Sequence, residues 1–465
     1  MRNFYCIIVL IISITVTAQN KQLLYNFTAI PQSALVNPGA DLKHNSYIGI
    51  PLLSGVSANF GSTAFSAYDL FANNGTNFND KLRNTLDRVS SNDRVLLNEQ
   101  VEILSAAFKI GRWDQKNYLS FGVYQEFDFV SFVPKDPAIL ALYGNSNYIG
   151  KRFDLSHLNA QAELLTVFHL GFRKEVSDKL TLGARGKIYS SIAHARTTRN
   201  SGYILTEEGT GPNVYDQTIA SNVTLNTSAA AKYFEDDYDG NTTNDIIKKA
   251  LFGGNLGLGL DLGATHYPKK NIQVTASLLD IGFINHSKEV KNYTYKGFYQ
   301  YNGINPNFTG PSTSGSTYDE FKKAIVYDST TTKYNTFRPV KFNASYQYSY
   351  HGKNDESCNC SPDSDNYRNA IGAQLFFQTL PKAPTAALTG FYQHTVSNGF
   401  QWKATYTIDA YSYTNLGLGI AGNLGKVHAY LLADNLLELR DIAKANAFSL
   451  QFGFNILLKE RTTFN

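Results

Sequence analysis

A strict alternation of apolar residues with polar or small ones, sustained over ten residues or more, is the feature that most constrains the fold of this chain. Such alternation places the two sets of side chains on opposite faces of a β-strand. The clearest segment sets Leu256, Leu258, Leu260, Leu262 and Ala264 against Gly257, Gly259, Asp261, Gly263 and Thr265. The same pattern returns at 119–124, 342–350, 400–410, 416–421 and 448–458. The chain is therefore predicted to be all-β.

The length of these segments separates a soluble fold from a membrane fold. Strands of soluble proteins usually have about five or six residues, whereas a tilted membrane strand needs about 9 to 11. Short turn signals at 177–179, 398–399 and 425–426 alternate with long polar stretches, as in outer-membrane barrels with brief periplasmic turns and long extracellular loops. The pattern predicts a transmembrane antiparallel β-barrel of about 14 strands. The alternative is a secreted β-sandwich or propeller, but the repeat of about 40 to 50 residues that propeller blades require is missing.

Candidate strands cover most of the chain after residue 45. They lie at 46–54, 56–66, 101–110, 117–132, 162–173, 180–192, 255–265, 271–284, 338–350, 369–378, 386–396, 400–411, 414–424, 427–434 and 446–458. Residues 46–465 are therefore assigned to the barrel. Within it, 78–104 has helix-like leucine spacing and is expected to form a partly helical plug or cap. The stretches 193–250 and 285–338, rich in Asn, Thr, Tyr and Gly, are expected to be long loops.

The first 18 residues have the parts of a secretory signal peptide. Arg2 supplies the positive charge, an apolar run follows, and cleavage is expected between Ala18 and Gln19. The apolar run is shorter than the roughly 20 residues of a membrane-spanning helix, which disfavours an uncleaved anchor, and the surroundings of Cys6 disfavour a lipoprotein. Residues 19–45 are predicted to be an N-terminal periplasmic or luminal segment. The expected location is the outer membrane of a Gram-negative cell.

Net charge and composition argue against some classes of function. The chain has 42 Lys and Arg against 38 Asp and Glu, a net charge of +4, which argues against a nucleic-acid partner. Only 17% of the residues are charged, fewer than the roughly 25% of soluble domains. Charges on the polar strand faces would point into the barrel, namely Glu126, Asp128, Arg185, Lys187, Asp261, Lys403 and Asp409. Their mixed signs favour a packed, salt-bridged lumen over an ion-selective pore.

The spacing of residues assembles no constellation for catalysis, a cofactor or a metal. Gly257, Gly259 and Gly263 alternate with leucine and lack the helix that follows a dinucleotide fingerprint. The acidic loop at 235–240 imitates the start of a calcium loop, but Ile246 stands where the closing glutamate belongs. This favours a solvated loop over a weak calcium site. The chain is therefore predicted not to be an enzyme, and no cofactor is expected.

Two cysteines, Cys358 and Cys360, lie in a polar segment of a chain that is expected to be exported. An oxidising compartment favours a disulfide, although a single intervening residue makes the ring small and strained. Metal binding together with His351 is the alternative. We predict a disulfide between the two cysteines.

An extended segment from Leu23 leads to the turn Asn37-Pro38-Gly39 before the first strand. It resembles the luminal hatch of the fatty-acid-transporter (FadL-like) barrels. It is also similar to the start of the PorP/SprF and PorV barrels of the Bacteroidota type IX secretion and gliding machinery, and the stretches 272–284 and 415–436 strengthen that likeness. The chain is longer than a typical PorP/SprF barrel and continues through 459–465 after its last predicted strand. These departures indicate an uncharacterised sister family.

The resemblance implies a function for the barrel. It implies a scaffold or accessory component of a type IX secretion or gliding-like surface assembly, with outer-membrane lipid and surface or periplasmic proteins as partners. The alternative that it implies is a FadL-like transporter of a hydrophobic small molecule, with Asn37, Pro38 and Gly39 in a movable luminal hatch. An enzyme with its site among the loops would need a nucleophile, and the sequence singles out none.

Overall fold

The computed structural model describes residues 21–44, 46–111, 117–209, 214–234, 242–301, 323–352, 367–382, 384–397, 399–409 and 411–458. The predicted cleavage site between Ala18 and Gln19 lies outside the described residues, as do Cys358 and Cys360 of the predicted disulfide. The α-helices of the described part are α1 (Ser33–Val36), α2 (Ala67–Phe71), α3 (Phe78–Arg88), α4 (Lys135–Tyr143) and α5 (Thr242–Lys248).

The strands of the described part vary in length from 3 to 29 residues. They are β1 (Tyr47–Gly49), β2 (Val56–Ser62), β3 (Arg94–Ile110), β4 (Asn117–Phe132), β5 (Arg152–Asp154), β6 (Ala160–Ser177), β7 (Leu180–Glu208), β8 (Tyr215–Ser228), β9 (Asn255–Lys269), β10 (Ile272–His286), β11 (Val290–Tyr301), β12 (Ile325–Thr330), β13 (Tyr334–Phe337), β14 (Lys341–Gly352), β15 (Tyr367–Gln378), β16 (Thr385–Ser397), β17 (Phe400–Ile408), β18 (Asn415–Leu424), β19 (Val427–Asp434) and β20 (Ala447–Leu457).

Antiparallel pairing closes these strands into a barrel. The last strand, β20, returns to pair with β1 and β2, and both of these pair with β3 on their other side. β1 and β2 together form one barrel strand that is interrupted at 50–55, and β13 and β14 form another that is interrupted at 338–340. The described residues thus form a closed barrel of 14 strands, namely β1/β2, β3, β4, β6, β7, β9, β10, β13/β14 and β15 to β20. The all-β antiparallel fold and the predicted strand number are confirmed.

The outer and inner faces of the barrel differ as the alternation predicts. Along β9, Leu258 and Leu262 are exposed on the outer surface, whereas Asp261 is buried inside. Exposed apolar or aromatic side chains recur around the barrel, including Ile48, Phe121, Leu170, Ile188, Phe283, Tyr346, Ile371, Leu388, Tyr406, Leu418, Leu431 and Phe454. An apolar exterior suits lipid, and closure leaves no edge of the barrel unpaired, as hydrocarbon requires. The chain is a transmembrane barrel.

The two ends of the barrel carry different connections. Two residues join β6 to β7, β9 to β10, and β18 to β19, and Gly425 in the last of these turns has a φ of +66°, which glycine adopts without strain. The opposite end carries α2 to α4 and a protruding sheet of β5, the distal half of β7, β8, β11 and β12. Because periplasmic turns are short in such barrels, we call this opposite end the outer end. Among the described residues, no helix has the length and apolar character needed to span a membrane.

Helices α2, α3 and α4 cover part of the outer end. Leu86 of α3 packs with Ile139 of α4 and with Phe153 in one hydrophobic cluster. The prediction of one partly helical unit over 78–104 is corrected, because 94–104 belongs to β3 in the barrel wall. Polar side chains that face the lumen, such as Asn98 and Gln100, alternate with outward-facing side chains in this strand. The alternation typical of a β-strand is therefore present together with the helix-like leucine spacing.

Other predicted boundaries are corrected as well. The stretches 193–250 and 285–338, predicted as loops, contain strands, since β7 continues to Glu208 and pairs with β8, and β11 pairs with β8 and β12. These strands belong to the protruding sheet, and β8, for example, has mostly half-buried side chains in place of the exposed and buried alternation of β9. The predicted strand at 46–54 ends early, because Pro51 cannot donate a ladder hydrogen bond.

A charge on the outer face tests the orientation of the strands. We expect Leu262→Arg, near the middle of β9, to lower the free energy of unfolding by about 2 to 4 kcal/mol, because the guanidinium would enter hydrocarbon. Leu437→Arg is the control, since Leu437 is exposed after the end of β19. Urea titration in phospholipid vesicles, followed by tryptophan fluorescence, measures both. Equal effects of the two substitutions would contradict the lipid-facing position of Leu262.

Candidate functional site

The described part of the N-terminal segment, 21–44, lies inside the barrel, and we call it the luminal segment. Its apolar side chains pack against inward-facing residues of β18 and β19. This cluster contains Leu23, Leu24, Tyr25, Phe27, Ala29, Ile30, Val36, Ala421, Tyr430 and Leu432. Glycines of β18 make room for it, since a Cβ on Gly417 would lie 3.1 Å from Leu23 Cδ1 and one on Gly419 would lie 3.1 Å from Phe27 Cε1. The alternate glycines of this strand therefore form a groove that accepts the luminal segment.

Side chains of the wall donate hydrogen bonds to backbone carbonyls of the luminal segment. The donors and acceptors are Lys403 to Tyr25 (2.6 Å), Arg185 to Ala34 (2.9 Å) and Leu35 (2.6 Å), Ser277 to Val36 (2.7 Å), and Thr265 to Gly39 (2.8 Å). The carbonyls at the end of α1 have no partner within such a short helix, so Arg185 and Ser277 supply the missing donors. Because the donors come from four different strands, the segment is held across the lumen.

The turn Asn37-Pro38-Gly39 is packed tightly against the wall. The Gly39 N–H donates to Asn37 Oδ1 at 2.9 Å, which closes the turn. On the wall, a Cβ on Gly183 would lie 2.1 Å from the carbonyl oxygen of Pro38, and one on Gly263 would lie 2.1 Å from Asn37 Oδ1. Both glycines are therefore required by the close approach of the turn. The structure places the predicted hatch residues at β7 and β9, and their movement stays a prediction.

A chain of buried ion pairs crosses the lumen beside the luminal segment, and we call it the lumen network. Its pairs are Arg185–Asp261 (2.5 Å), Lys187–Asp261 (2.9 Å), Lys187–Asp280 (2.6 Å), Lys341–Asp280 (3.0 Å), Lys341–Glu126 (3.6 Å), Arg338–Glu126 (3.3 Å), Arg338–Asp128 (2.8 Å) and Arg338–Glu163 (2.7 Å). Buried charges need partners because an isolated ion loses its hydration. The network meets that requirement, since Lys187, Lys341 and Arg338 are each shared between two or more carboxylates and Arg185 is paired with Asp261.

Lys21 brings a further cation to this region. The described part of the lumen network has four cations and five carboxylates. Lys21 lines the same cavity as Lys187, Lys341, Glu126 and Asp280, and its ammonium donates to Gln100. Loss of hydration lowers the pKa of Lys21 to about 8, partly opposed by the carboxylates around it. The first described residue of the luminal segment thus contributes to the charge balance of the barrel centre.

Two small cavities lie in line between the outer end and the luminal segment. The central cavity, about 40 Å³, is lined by Lys21, Leu35 and Val36 of the segment and by the lumen network. The mouth cavity, also about 40 Å³, lies nearer the outer end, and its apolar lining is Leu96, Val130, Pro339, Leu380 and Pro381. Asn98 and Lys341 line both cavities. Each has room for only a few water molecules, so among the described residues these two cavities do not form an open path.

Sequence reasoning found only part of the lumen network. The predicted inward charges are buried except for Asp128, which is half-buried. Glu126, Asp128, Arg185, Lys187 and Asp261 take part in the network, whereas Lys403 binds the luminal segment and Asp409 lies after β17. Asp280, Arg338, Lys341 and Glu163 were missed. Asp280 has a φ of +60° at an irregularity of β10, and Arg338 lies where β13 and β14 are interrupted. Neither Asp280 nor Arg338 lies in a run of alternating polar and apolar residues, so the local sequence does not identify them as inward-facing.

The described residues contain no candidate metal centre of histidine, cysteine and carboxylate side chains. Among them, no group of three or more such side chains is arranged to hold a metal ion. His351, the alternative partner for a metal at the cysteines, lies at the end of β14 and contacts Asn369. The luminal segment, the lumen network and the two cavities are therefore the candidate functional site.

Removing space at the turn should displace the luminal segment. We expect Gly183→Ala to push Pro38 from the wall and to raise the single-channel conductance of the protein in planar bilayers. Gly186→Ala on the same strand is the matched control, since nothing lies within 4 Å of a Cβ there. Conductance that is the same in both variants would contradict the tight seating of the turn.

We expect the lumen network to stabilise the folded barrel. We expect Lys187→Met to lower the free energy of unfolding by about 3 to 5 kcal/mol, because Asp261 and Asp280 would lose a shared buried cation. Arg83→Met removes an exposed ion pair with Asp80 at 3.9 Å, where we expect a change below about 1 kcal/mol. Urea titration in vesicles compares the two variants, and similar losses would show that the network contributes no more than a surface pair.

Several solved structures match most of this chain at low sequence identity. The toluene transporter TbuX of Ralstonia pickettii is similar with 10% sequence identity over 92% of this chain and 94% of its own, at a TM-score of 0.42. A FadL homologue of Pseudomonas aeruginosa is similar with 10% identity over 95% of this chain and 99% of its own, at a TM-score of 0.41. No curated protein matches the sequence.

One family model matches most of the chain. It is described as a family of unknown function, DUF5723, and it matches residues 38–434. The match begins within the turn of the luminal segment and extends to the end of β19. The chain belongs to the DUF5723 family.

Proposed function

We propose that this protein is a non-enzymatic outer-membrane channel for a small hydrophobic molecule, closed at rest by its luminal segment. The observation that carries the proposal is the alignment of the two cavities, which share Asn98 and Lys341 and end at the luminal segment. A molecule that moved inward from the outer end would meet the segment at Lys21 and Leu35. Passage therefore requires the segment to move.

The lining of the mouth cavity supports a hydrophobic substrate. Leu96, Val130, Leu380 and two prolines present carbon to the cavity, and the other five lining residues, Asn98, Asp128, Gln161, Lys341 and Gln378, are polar. Small-molecule sites combine apolar walls with placed polar groups. The lumen network is unsuited to free ion flow, because its charges are paired with one another and leave no single-sign surface.

The seating of the luminal segment supports a movable closure. Much of its hold on the wall consists of hydrogen bonds between polar side chains and backbone carbonyls. Water can replace such bonds at a net cost of about 0.5 to 1.5 kcal/mol for the neutral donor Ser277 and about 1.5 to 3 kcal/mol for the charged donors Arg185 and Lys403. Release also moves the apolar side chains of the segment away from β18 and β19, while the barrel wall keeps its backbone pairing.

Locking the luminal segment to the wall tests the proposal. Asn26 donates to Ser345 of β14, so Asn26→Cys with Ser345→Cys, in a background with Cys358→Ser and Cys360→Ser, allows a thiol bridge. Toluene, the compound named for the Ralstonia pickettii barrel, and palmitate serve as radiolabelled probes. We expect bridging by dibromobimane to abolish uptake of a transported probe into cells, because the segment can no longer leave the lumen.

The matched control bridges two wall strands without the segment. Thr389 of β16 and Thr407 of β17 face each other with their hydroxyl oxygens 2.9 Å apart. Thr389→Cys with Thr407→Cys should therefore keep full uptake after bridging. Uptake that survives the Asn26–Ser345 bridge, or that equals that of cells lacking the protein before any bridging, would overturn the channel proposal.

A second candidate is the scaffold of a type IX secretion or gliding-like assembly, implied by the PorP/SprF and PorV resemblance. The protruding sheet favours it, because Tyr295, Phe298, Val326 and Tyr327 are exposed there, and aromatic residues are enriched in protein interfaces. Mass spectrometry of protein purified gently from outer membranes separates the two candidates. Stoichiometric surface or periplasmic proteins would support the scaffold, and a barrel without protein partners would leave the channel.

A further inference from the structure

A short turn directly after α5, Lys249–Gly253, leaves two large apolar side chains exposed, and we call it the boundary turn. Leu251 is 65% exposed and Phe252 is 46% exposed. The backbone of Phe252 has a φ of +65°, a left-handed conformation that is rare for bulky residues. Exposed apolar side chains are unfavourable in water. The position of the turn on the barrel therefore decides what these two side chains contact.

The boundary turn lies against the outer face of the barrel wall. Ile188 of β7 is exposed on that face, and Ser190, two residues further along the strand, points to the same side. Its hydroxyl donates to the Lys249 carbonyl at 2.6 Å. The ring of Phe252 stacks on that of Phe168 of β6, with centroids 4.1 Å apart, and Phe168 is the cross-strand partner of Ile188. Phe252 thus lies on the side of the wall that faces away from the lumen.

The stacked ring of Phe252 continues a row of lipid-facing side chains. Cross-strand pairing places the members of this row side by side on β6, β7 and β9, namely Phe168, Ile188 and Leu258. The next row toward the outer end consists of Thr166, Ser190 and Leu256. Ser190 is 0% exposed although it lies on the outer face, because the boundary turn covers it. The turn thus replaces a polar position on the outer surface with the apolar side chains of Leu251 and Phe252.

The boundary turn is also at the level where the membrane ends. Ser190 is the eleventh residue of β7, counted from Leu180 after the short turn that follows β6. A tilted strand crosses the hydrocarbon in about 9 to 11 residues. Lys249 of the turn pairs with Asp245 of α5 at 3.0 Å and with Glu289, beyond the end of β10, at 2.6 Å. Charged groups and exposed apolar side chains are therefore adjacent, as in segments that lie at a membrane interface.

We propose that the boundary turn docks onto the lipid surface, with Leu251 and Phe252 inserted among the upper parts of the acyl chains of the outer leaflet. A lipid surface is the partner because Phe252 stacks on a side chain of the lipid-facing row, so the medium that contacts this row also contacts the turn. Insertion would remove both side chains from water and would fix the depth of β6, β7 and β9 in the membrane. The inference is independent of the channel proposal, because the turn lies outside the lumen.

Depth-dependent quenching of a fluorophore tests the proposal. The fluorophore NBD is attached to a single cysteine of the full-length protein in phospholipid vesicles, in a background with Cys6→Ser, Cys358→Ser and Cys360→Ser. Leu251→Cys is the test position, and Leu262→Cys, near the middle of β9, is the reference within the membrane. We expect the Leu251 label to be quenched more by a lipid with a spin label near its headgroup than by one labelled near the chain end. The Leu262 label should show the opposite order.

Val326→Cys is the matched control, since Val326 is 54% exposed in the protruding sheet. Its label should be quenched by iodide in the water and by neither lipid, and the emission of the Leu251 label should be shifted to shorter wavelength relative to it. Heat-modifiable migration on gels confirms that each variant has folded. The proposal is overturned if the Leu251 label behaves as the Val326 label does, because the turn would then lie in water. Quenching of the Leu251 label mainly by the chain-end lipid would overturn its position at the boundary.

Discussion

The fold depends on one requirement, that backbone N–H and C=O groups in hydrocarbon be hydrogen-bonded within the protein. A sheet meets it only by closing, and closure here is made by β20, which pairs with both β1 and β2. The interruption between these two strands does not open the barrel, because each of them also pairs with β3. Every other feature of the molecule follows from having a closed wall with one face in lipid and the other enclosed.

The enclosed face creates the second constraint. Polar side chains that point away from lipid are removed from most water once the luminal segment fills the barrel, so they must satisfy one another or the segment. The wall does both. Arg185 pairs with Asp261 and also donates to the carbonyls at the end of α1. The same side chain thus stabilises the wall and holds the luminal segment in place. Any movement of the segment therefore changes the contacts of the lumen network.

The strand spans that sequence predicted well are those in the membrane. The strand predicted at 117–132 matches β4 at both ends, because lipid on one side and a polar lumen on the other impose alternation on neighbouring residues. Prediction failed where one of these surroundings is absent. The distal half of β7, to Glu208, pairs with β5 and β8 in the protruding sheet and not in the membrane wall, and its Thr-rich sequence reads as a loop. The helix-like spacing of apolar residues from Leu82 to Leu97 disguised the start of β3 as helix.

The site was less predictable than the wall. Asn37, Pro38 and Gly39 were singled out by resemblance, but their fit against Gly183 and Gly263 depends on strands far along the chain. Sequence alone determined the all-β class, the approximate strand number and some of the charges that face inward, because those follow from the local alternation of lipid and lumen. Only the tertiary structure decided which charges pair and where the luminal segment rests, because both depend on the stagger of strands and on irregularities such as Asp280, where the alternation is broken.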